Sequence, residues 1–204
     1  MTSINMAEKK LDPKKLKKAY YEGKLMQFFD EMLADGQEIN KEEIESYLTK
    51  FQGEREKNIK EFKTYIDQES IPSVDVLFDK DSDPAKKEEW IKNRDYAIAR
   101  ASKILMDTAR AIATKSDINV EQFSSYAHEL TGLTYFLDQD EVFKKRTWKI
   151  RQMEIMEDYR CSRKEAEDHS MITNEYVDYK NSYNLRQEVE NFIINARKEV
   201  GRYR

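Results

Sequence analysis

Apolar residues recur at helical spacing along most of the chain. Leu16, Ala19, Tyr20, Leu25, Phe28, Phe29, Met32 and Leu33 share one face of a predicted helix. It opens at Asp12-Pro13, a cap followed by proline at the first helical position, and stops at Gly36. A second start is marked by Asn40 and Glu43 in a capping-box pattern, with Ile39 and Ile44 at the staple positions. Ile44, Leu48, Phe51, Ile59, Phe62 and Ile66 then predict a helix over about residues 40–68, its stripe broken only by Arg55.

Residues 69–83 read as one long loop, bounded by Pro72 and Pro84 and carrying Asp79, Asp81 and Asp83. The alternation Val74, Val76, Phe78 leaves room for a short extended segment inside it. Asp83-Pro84 repeats the cap-then-proline start of a helix to about 114. Within it, residues 97–113 hold eleven apolar side chains in seventeen. Trp90, Ile98, Ala101, Leu105, Ala109 and Ile112 mark its expected inner face, and the segment reads as the most enclosed helix of the fold.

Ile118, Asn119, Gln122 and Phe123 form another start. The stretches INKEEIESYL (39–48) and INVEQFSSYA (118–127) agree at five of ten positions. Either a helical hairpin is duplicated or two good helix starts look alike, and the second reading is preferred because the match fades outside the cap. Asp138, Gln139, Asp140 and Glu141 read as a helix restart, followed by Val142, Phe143, Trp148, Ile150, Met153, Met156 and Tyr159. Ser162 and Glu165 make a further capping box. The last helix is expected over about 174–200. Its seam runs through Tyr176, Tyr179, Tyr183, Arg186, Glu190, Ile193, Arg197 and Val200, or drifts through Val189, Phe192 and Ala196. The first seam is polar for a zipper, so packing on the chain's own helices is favoured.

Composition narrows the fold. In 204 residues there are 5 glycines and 3 prolines, 39% of the chain is apolar and 37% is charged. Sheets need tight turns, and tight turns consume Gly and Pro. The expected fold is therefore all-α, an irregular or elongated bundle of about six to seven helices, several of them long, with one long loop near 69–83. The expected organisation is a flexible segment 1–11, a helical bundle over 12–137 built from two capped hairpins, and 138–204 packed on the same domain.

Candidate chemistry is sparse. His128 and His169 are preceded at the third position by Ser125 and Ala166, so the Glu-x-x-His pair of di-iron bundles is missing. His128, among Tyr126, Leu130 and Leu133, is expected to be partly buried. Cys161 lies between Arg160 and Arg163, which can lower a thiol pKa, but no base is near in sequence and a half-buried structural cysteine is the simpler expectation. The glycines stand too far apart for a phosphate-binding loop. Asp79, Asp81 and Asp83 match the first positions of a calcium loop, yet Pro84 and Trp90 occupy the places of its glycine and its bidentate glutamate. No cofactor, metal, catalytic residue or small-molecule substrate is expected.

The formal charge is only -4, but it is unevenly placed. Residues 1–18 carry net +4, residues 144–164 net +5, and residues 30–45 hold seven carboxylates against Lys41. Lys144, Lys145, Arg146, Trp148, Lys149 and Arg151 form the one place where cations bracket a tryptophan on a helix. That is the minimal chemistry of single-strand binding, aided in this chain by Lys14, Lys15, Lys17 and Lys18. The competing reading makes Trp148, Ile150 and Met153 core and the cations a solvated face. A third lets the acidic face of one copy meet the basic face of another.

The segment RKEAEDHSMITNEYVDYKNSYNLRQEVENFI (163–193) has a capped short helix, a polar break and a long Tyr-rich helix. In this it resembles the helical tails of small tailed-phage proteins, over about Val142 to Arg204. The resemblance implies virion components, or single-strand recombination mediators that oligomerise and load a recombinase. It carries no residue-level site.

The leading expectation is a non-catalytic helical interaction or assembly subunit that self-associates or docks into a larger complex, as a phage component would. The alternative is an accessory protein that binds single-stranded nucleic acid. One cysteine, the absence of an apolar core in MTSINMAEKKLDPKK, of a glycosylation sequon and of any long apolar run give the expectation of an intracellular protein, cytoplasmic or carried in a virion, with no membrane contact.

Overall fold

Cap and proline chemistry sets the helix boundaries. The computed structural model describes residues 11–37, 40–69, 71–114 and 120–202, with side chains as far as Glu199. Of these residues 87% are helical and none is in a strand. They form α1 (Pro13–Tyr21), α2 (Leu25–Ala34), α3 (Lys41–Gln68), α4 (Pro72–Phe78), α5 (Pro84–Ala113), α6 (Val120–Tyr159), α7 (Arg163–Ser170) and α8 (Asn174–Arg202). The fold is all-α, as the turn-poor composition requires. Ile39, Ile118 and Asn119, nearly all of the expected flexible segment 1–11, and the side chain of Val200 lie outside the described residues.

Three expected boundaries differ. The helix predicted over 12–36 is broken at Gly23, whose φ of +70° places it in the left-handed region. Gly23 N donates to Tyr20 O (3.3 Å) and Lys24 N to Ala19 O (2.8 Å), a Schellman closure that Gly36 repeats at the end of α2. The long loop near 69–83 is interrupted by the seven residues of α4. Pro72 starts that helix rather than breaking one, and Val74 is buried. The aspartates of the calcium-like pattern are helix-end groups: Asp83 Oδ1 accepts from Ala85 N at 2.9 Å, and Asp79 Oδ1 accepts from Asp81 N at 3.0 Å. Finally, residues 138–141 do not restart a helix. They lie inside α6, which runs 40 residues without interruption.

The chain divides into two compact units, one of residues up to Gln68 with Ile150–Met171, the other of Glu69–Lys149 with residues from Ile172 onward. The boundary expected at 137/138 is not a boundary between them; α6 supplies Val120–Lys149 to one unit and Ile150–Tyr159 to the other.

In the first unit, Leu16 and Tyr20 of α1 pack on Phe51 of α3, with the rings of Tyr20 and Phe51 5.8 Å apart. Farther along α3, Phe62 and Ile66 bury Ile155, Met156, Cys161 and Ala166. Asn40 Oδ1 accepts from Glu42 N (3.1 Å) and Glu43 N (3.3 Å) at the start of α3. The Ser162–Glu165 capping box at α7 is complete.

The second unit is a three-helix bundle of α5, the first part of α6, and α8, with α4 against it. Trp90 meets Gln139 while Arg100 meets Glu129, so α5 and α6 are antiparallel. Trp148 meets Tyr176 while Phe123 meets Phe192, so α6 and α8 are antiparallel too. The core is Ala97, Ala101, Ile104, Leu130, Leu137, Val189, Phe192, Ile193 and Ala196. Burying each large aliphatic or aromatic side chain contributes roughly 1.5–3 kcal/mol. The stripe of α8 follows the drifting path through Val189, Phe192 and Ala196 in its second half. In its first half Tyr176, Tyr179 and Arg186 face α6. The inner face of α5 is rotated from the expected one. Ala97, Ala101, Ile104 and Thr108 point inward, whereas Ala109 and Ile112 are exposed, so this helix is not enclosed.

Candidate functional site

The basic segment is the first place to look for function. In the second unit, Lys144 to Lys149 lie on α6 where three neighbouring helices press on it. Lys144 Nζ is 2.8 Å from Asp140, Lys145 Nζ is 3.3 Å from Glu69, and Arg146 pairs with Asp75 while stacking over Phe78, 4.4 Å from the ring centre. Trp148 is only 6% exposed. Its ring lies parallel to Tyr179 at 5.2 Å and tilted against Tyr176 at 5.1 Å. Lys149 Nζ sits 4.7 Å from the Trp148 ring centre. Arg151 belongs to the first unit, where it is 2.8 Å from Glu154. The six candidates are thus divided between the units, the tryptophan face is already stacked, and the cations have carboxylate or ring partners. Of the N-terminal cations, Lys17 is 2.6 Å from Glu54 and Lys18 is 3.6 Å from Glu22.

One turn earlier on α6 is a buried polar layer. Gln139 Oε1 accepts from Trp90 Nε1 at 2.7 Å, and its amide donates to the Ser73 hydroxyl. Asp140, 1% exposed, accepts from Ser182 Oγ at 2.6 Å and lies 3.7 Å from Arg94 Nε. Arg94 itself stacks 5.0 Å from the centre of Trp90. Arg186 pairs with Asp138 and reaches Glu141 (3.5 Å) and Glu190 (2.8 Å). Burial holds the Glu141 carboxyl above the usual glutamate range, with Arg186 opposing. A set of ions and amides paired across four helices specifies alignment rather than reactivity. The sequence carries a signal for it: Gln139 and Asp140 fall in phase between Phe136 and Phe143, as buried positions of a continuing helix do.

In the first unit a pocket of about 400 Å³ is lined by residues including Lys17, Tyr21, Glu54, Arg55, Cys161 and Glu165. Its cysteine is 7% exposed. Burial, then the charge of Glu165, pushes the Cys161 thiol up, the reverse of what the flanking arginines suggest and of what a nucleophile needs. His128 is exposed rather than partly buried, and His169 is exposed in the last turn of α7. Among the described residues no three His, Cys, Asp or Glu side chains converge where a metal ion could sit, and no helix is long and apolar enough to cross a membrane.

The surface of α5 is the feature that sequence reasoning assigned to the interior. At about 100° per residue, Ala99, Ser102, Met106, Ala109 and Ala113 stand opposite the buried Ala97, Ala101, Ile104 and Thr108. Met106 is 58% exposed and Ile112, at the flank, 69%. From Ala99 to Ala113 these five positions span four turns without a charge, bordered by Lys103 and Arg110, in a chain that is 37% charged.

The fold and its surfaces define an all-helical chain of two units with paired ions inside and an uncharged helix face outside. No family model, curated protein or solved structure matches it.

Proposed function

We propose that the chain is a non-catalytic helical interaction and assembly subunit that works through the outer faces of its helices. One observation carries this reading: α5 is apolar on two sides, and its core needs only one of them. Most of the Met106 and Ile112 surface is left in water by the folded unit; withdrawn against a partner it would contribute about 25 cal/mol for each Å² buried. The resemblance of residues 163–193 to the helical tails of small tailed-phage proteins supports a place in a phage particle or in its assembly.

Light scattering with and without a single-stranded oligonucleotide tests the proposal. The expected result is a mass above the 24.4 kDa of one chain in the absence of nucleic acid. A monodisperse, inert monomer, or one that gains mass only when the oligonucleotide is added, would overturn it.

A further inference from the structure

The outer stripe of α5 also carries the information needed to choose its occupant. We infer that it packs against the same stripe of a second copy, antiparallel, about a twofold axis near Ser102 and Lys103. This inference rests on the interaction reading above and adds the partner, direction and register.

Charge fixes the direction. Asp95 lies one turn before the start of the stripe and Arg110 borders it near its other end, with side chains 59% and 72% exposed. Among the described residues Arg110 makes a long 3.9 Å contact with Asp107 in its own helix, and Asp95 accepts two hydrogen bonds from its neighbour Arg94 (2.9 and 2.7 Å), which also lies 3.7 Å from Asp140. Parallel pairing would set Asp95 beside Asp95 and Arg110 beside Arg110. Antiparallel pairing about the Ser102–Lys103 midpoint brings Asp95 of each copy to Arg110 of the other, twice by symmetry, as a closed twofold interface requires.

Shape agrees with that register. Met106 of one helix then lies over Ala99 of the other, a large flexible side chain against a small one, at two equivalent places. Ser102 and Ala99 leave the backbones free to approach closely at the centre. Ile112 and Tyr96, both exposed, flank the ends, and Lys103 lies at the rim, where its charge stays in water. No charge has to be buried unpaired.

Sedimentation of the full chain tests the inference through a charge swap. Wild type is expected to form a dimer. Asp95→Arg should weaken dimerisation at least tenfold, and adding Arg110→Asp in the same chain should restore it, an outcome that neither unfolding nor a general change of charge produces. In a Cys161→Ser background, Ser102→Cys should crosslink to itself on oxidation, and Ala113→Cys, far from the axis, should not. A wild type that stays monomeric at high concentration overturns the inference. An oligomer indifferent to Asp95→Arg, or one that Ala113→Cys crosslinks and Ser102→Cys does not, also overturns it while leaving the interaction reading intact.

Discussion

The guanidinium of Arg55 closes the end of a helix that lies a hundred residues away in sequence: its Nη2 donates to the main-chain oxygen of Glu157 at 2.6 Å and of Met156 at 3.4 Å. These carbonyls belong to the last turn of α6, where no intrahelical donor remains and the helix dipole favours a cation. Arg160, just beyond, has a φ of 51°, the left-handed turn that ends such a helix. The one residue that interrupts the apolar stripe of α3 is therefore the one that caps its neighbour. Arg55→Leu, which would perfect the stripe, is expected to destabilise the first unit by about 1.5–3 kcal/mol in urea unfolding. A variant as stable as wild type would show that the cap is dispensable.

Trp148→Ala should cost about 3–5 kcal/mol, because it empties a site packed between Tyr176 and Tyr179. Burial also holds the Tyr179 hydroxyl above the usual tyrosine range, consistent with a dry stack. With that ring engaged, wild type is expected to show no saturable binding to a labelled single-stranded oligonucleotide at low salt. Tight binding that Lys145→Glu and Lys149→Glu abolish would return the basic segment to the nucleic-acid reading.

The two tryptophans show how far the sequence could be read. Helical periodicity, caps and turn-poor composition were enough for the all-α fold and for the starts at Pro13, Pro84 and Ser162, because these are local rules. Position within a bundle is not local. The carboxylates of 138–141 look like a solvated restart until Ser182, Arg94 and Arg186 are brought to them from other helices. The cluster around Trp148 looks like a basic surface until Asp75 and Glu69 arrive from the other side of the bundle. Alanine misled for a related reason: on α5 it is compatible with either face, and only the packed neighbours decide which is inside.

Glycines at two positions should respond oppositely. Gly23→Ala forces a side chain into the left-handed region and is expected to cost about 1–2 kcal/mol, although nothing lies within 4 Å of the new Cβ. Gly53→Ala, inside α3 and equally open, should stabilise by roughly 0.5–1 kcal/mol. Thermal unfolding of the pair reads both signs in one experiment.

The acid limb of stability should depend on α7. Hydrogen bonds from the Ser162 amide and hydroxyl hold the Glu165 carboxyl below the usual glutamate range. A lowered folded-state pKa means that the unfolded chain binds the proton more readily. The stabilisation is therefore complete above the ordinary glutamate range and is lost as pH falls through the folded value. Glu165→Gln is expected to lower the urea midpoint at pH 7, and the gap from wild type should narrow as the pH is taken below about 4. An unchanged gap across that range would rule out the charge as the cause.

Oiled surfaces slide, and three helices joined only by aliphatic contacts can shift by a turn at little cost. The layer at Asp140 works as a key in a lock: a slip of one turn along α6 would strand a buried carboxylate away from Ser182 and Arg94, a penalty of several kcal/mol. That notch holds α5 at a fixed height beside its neighbours, and whatever grips the outside of α5 meets the same arrangement of side chains in every molecule.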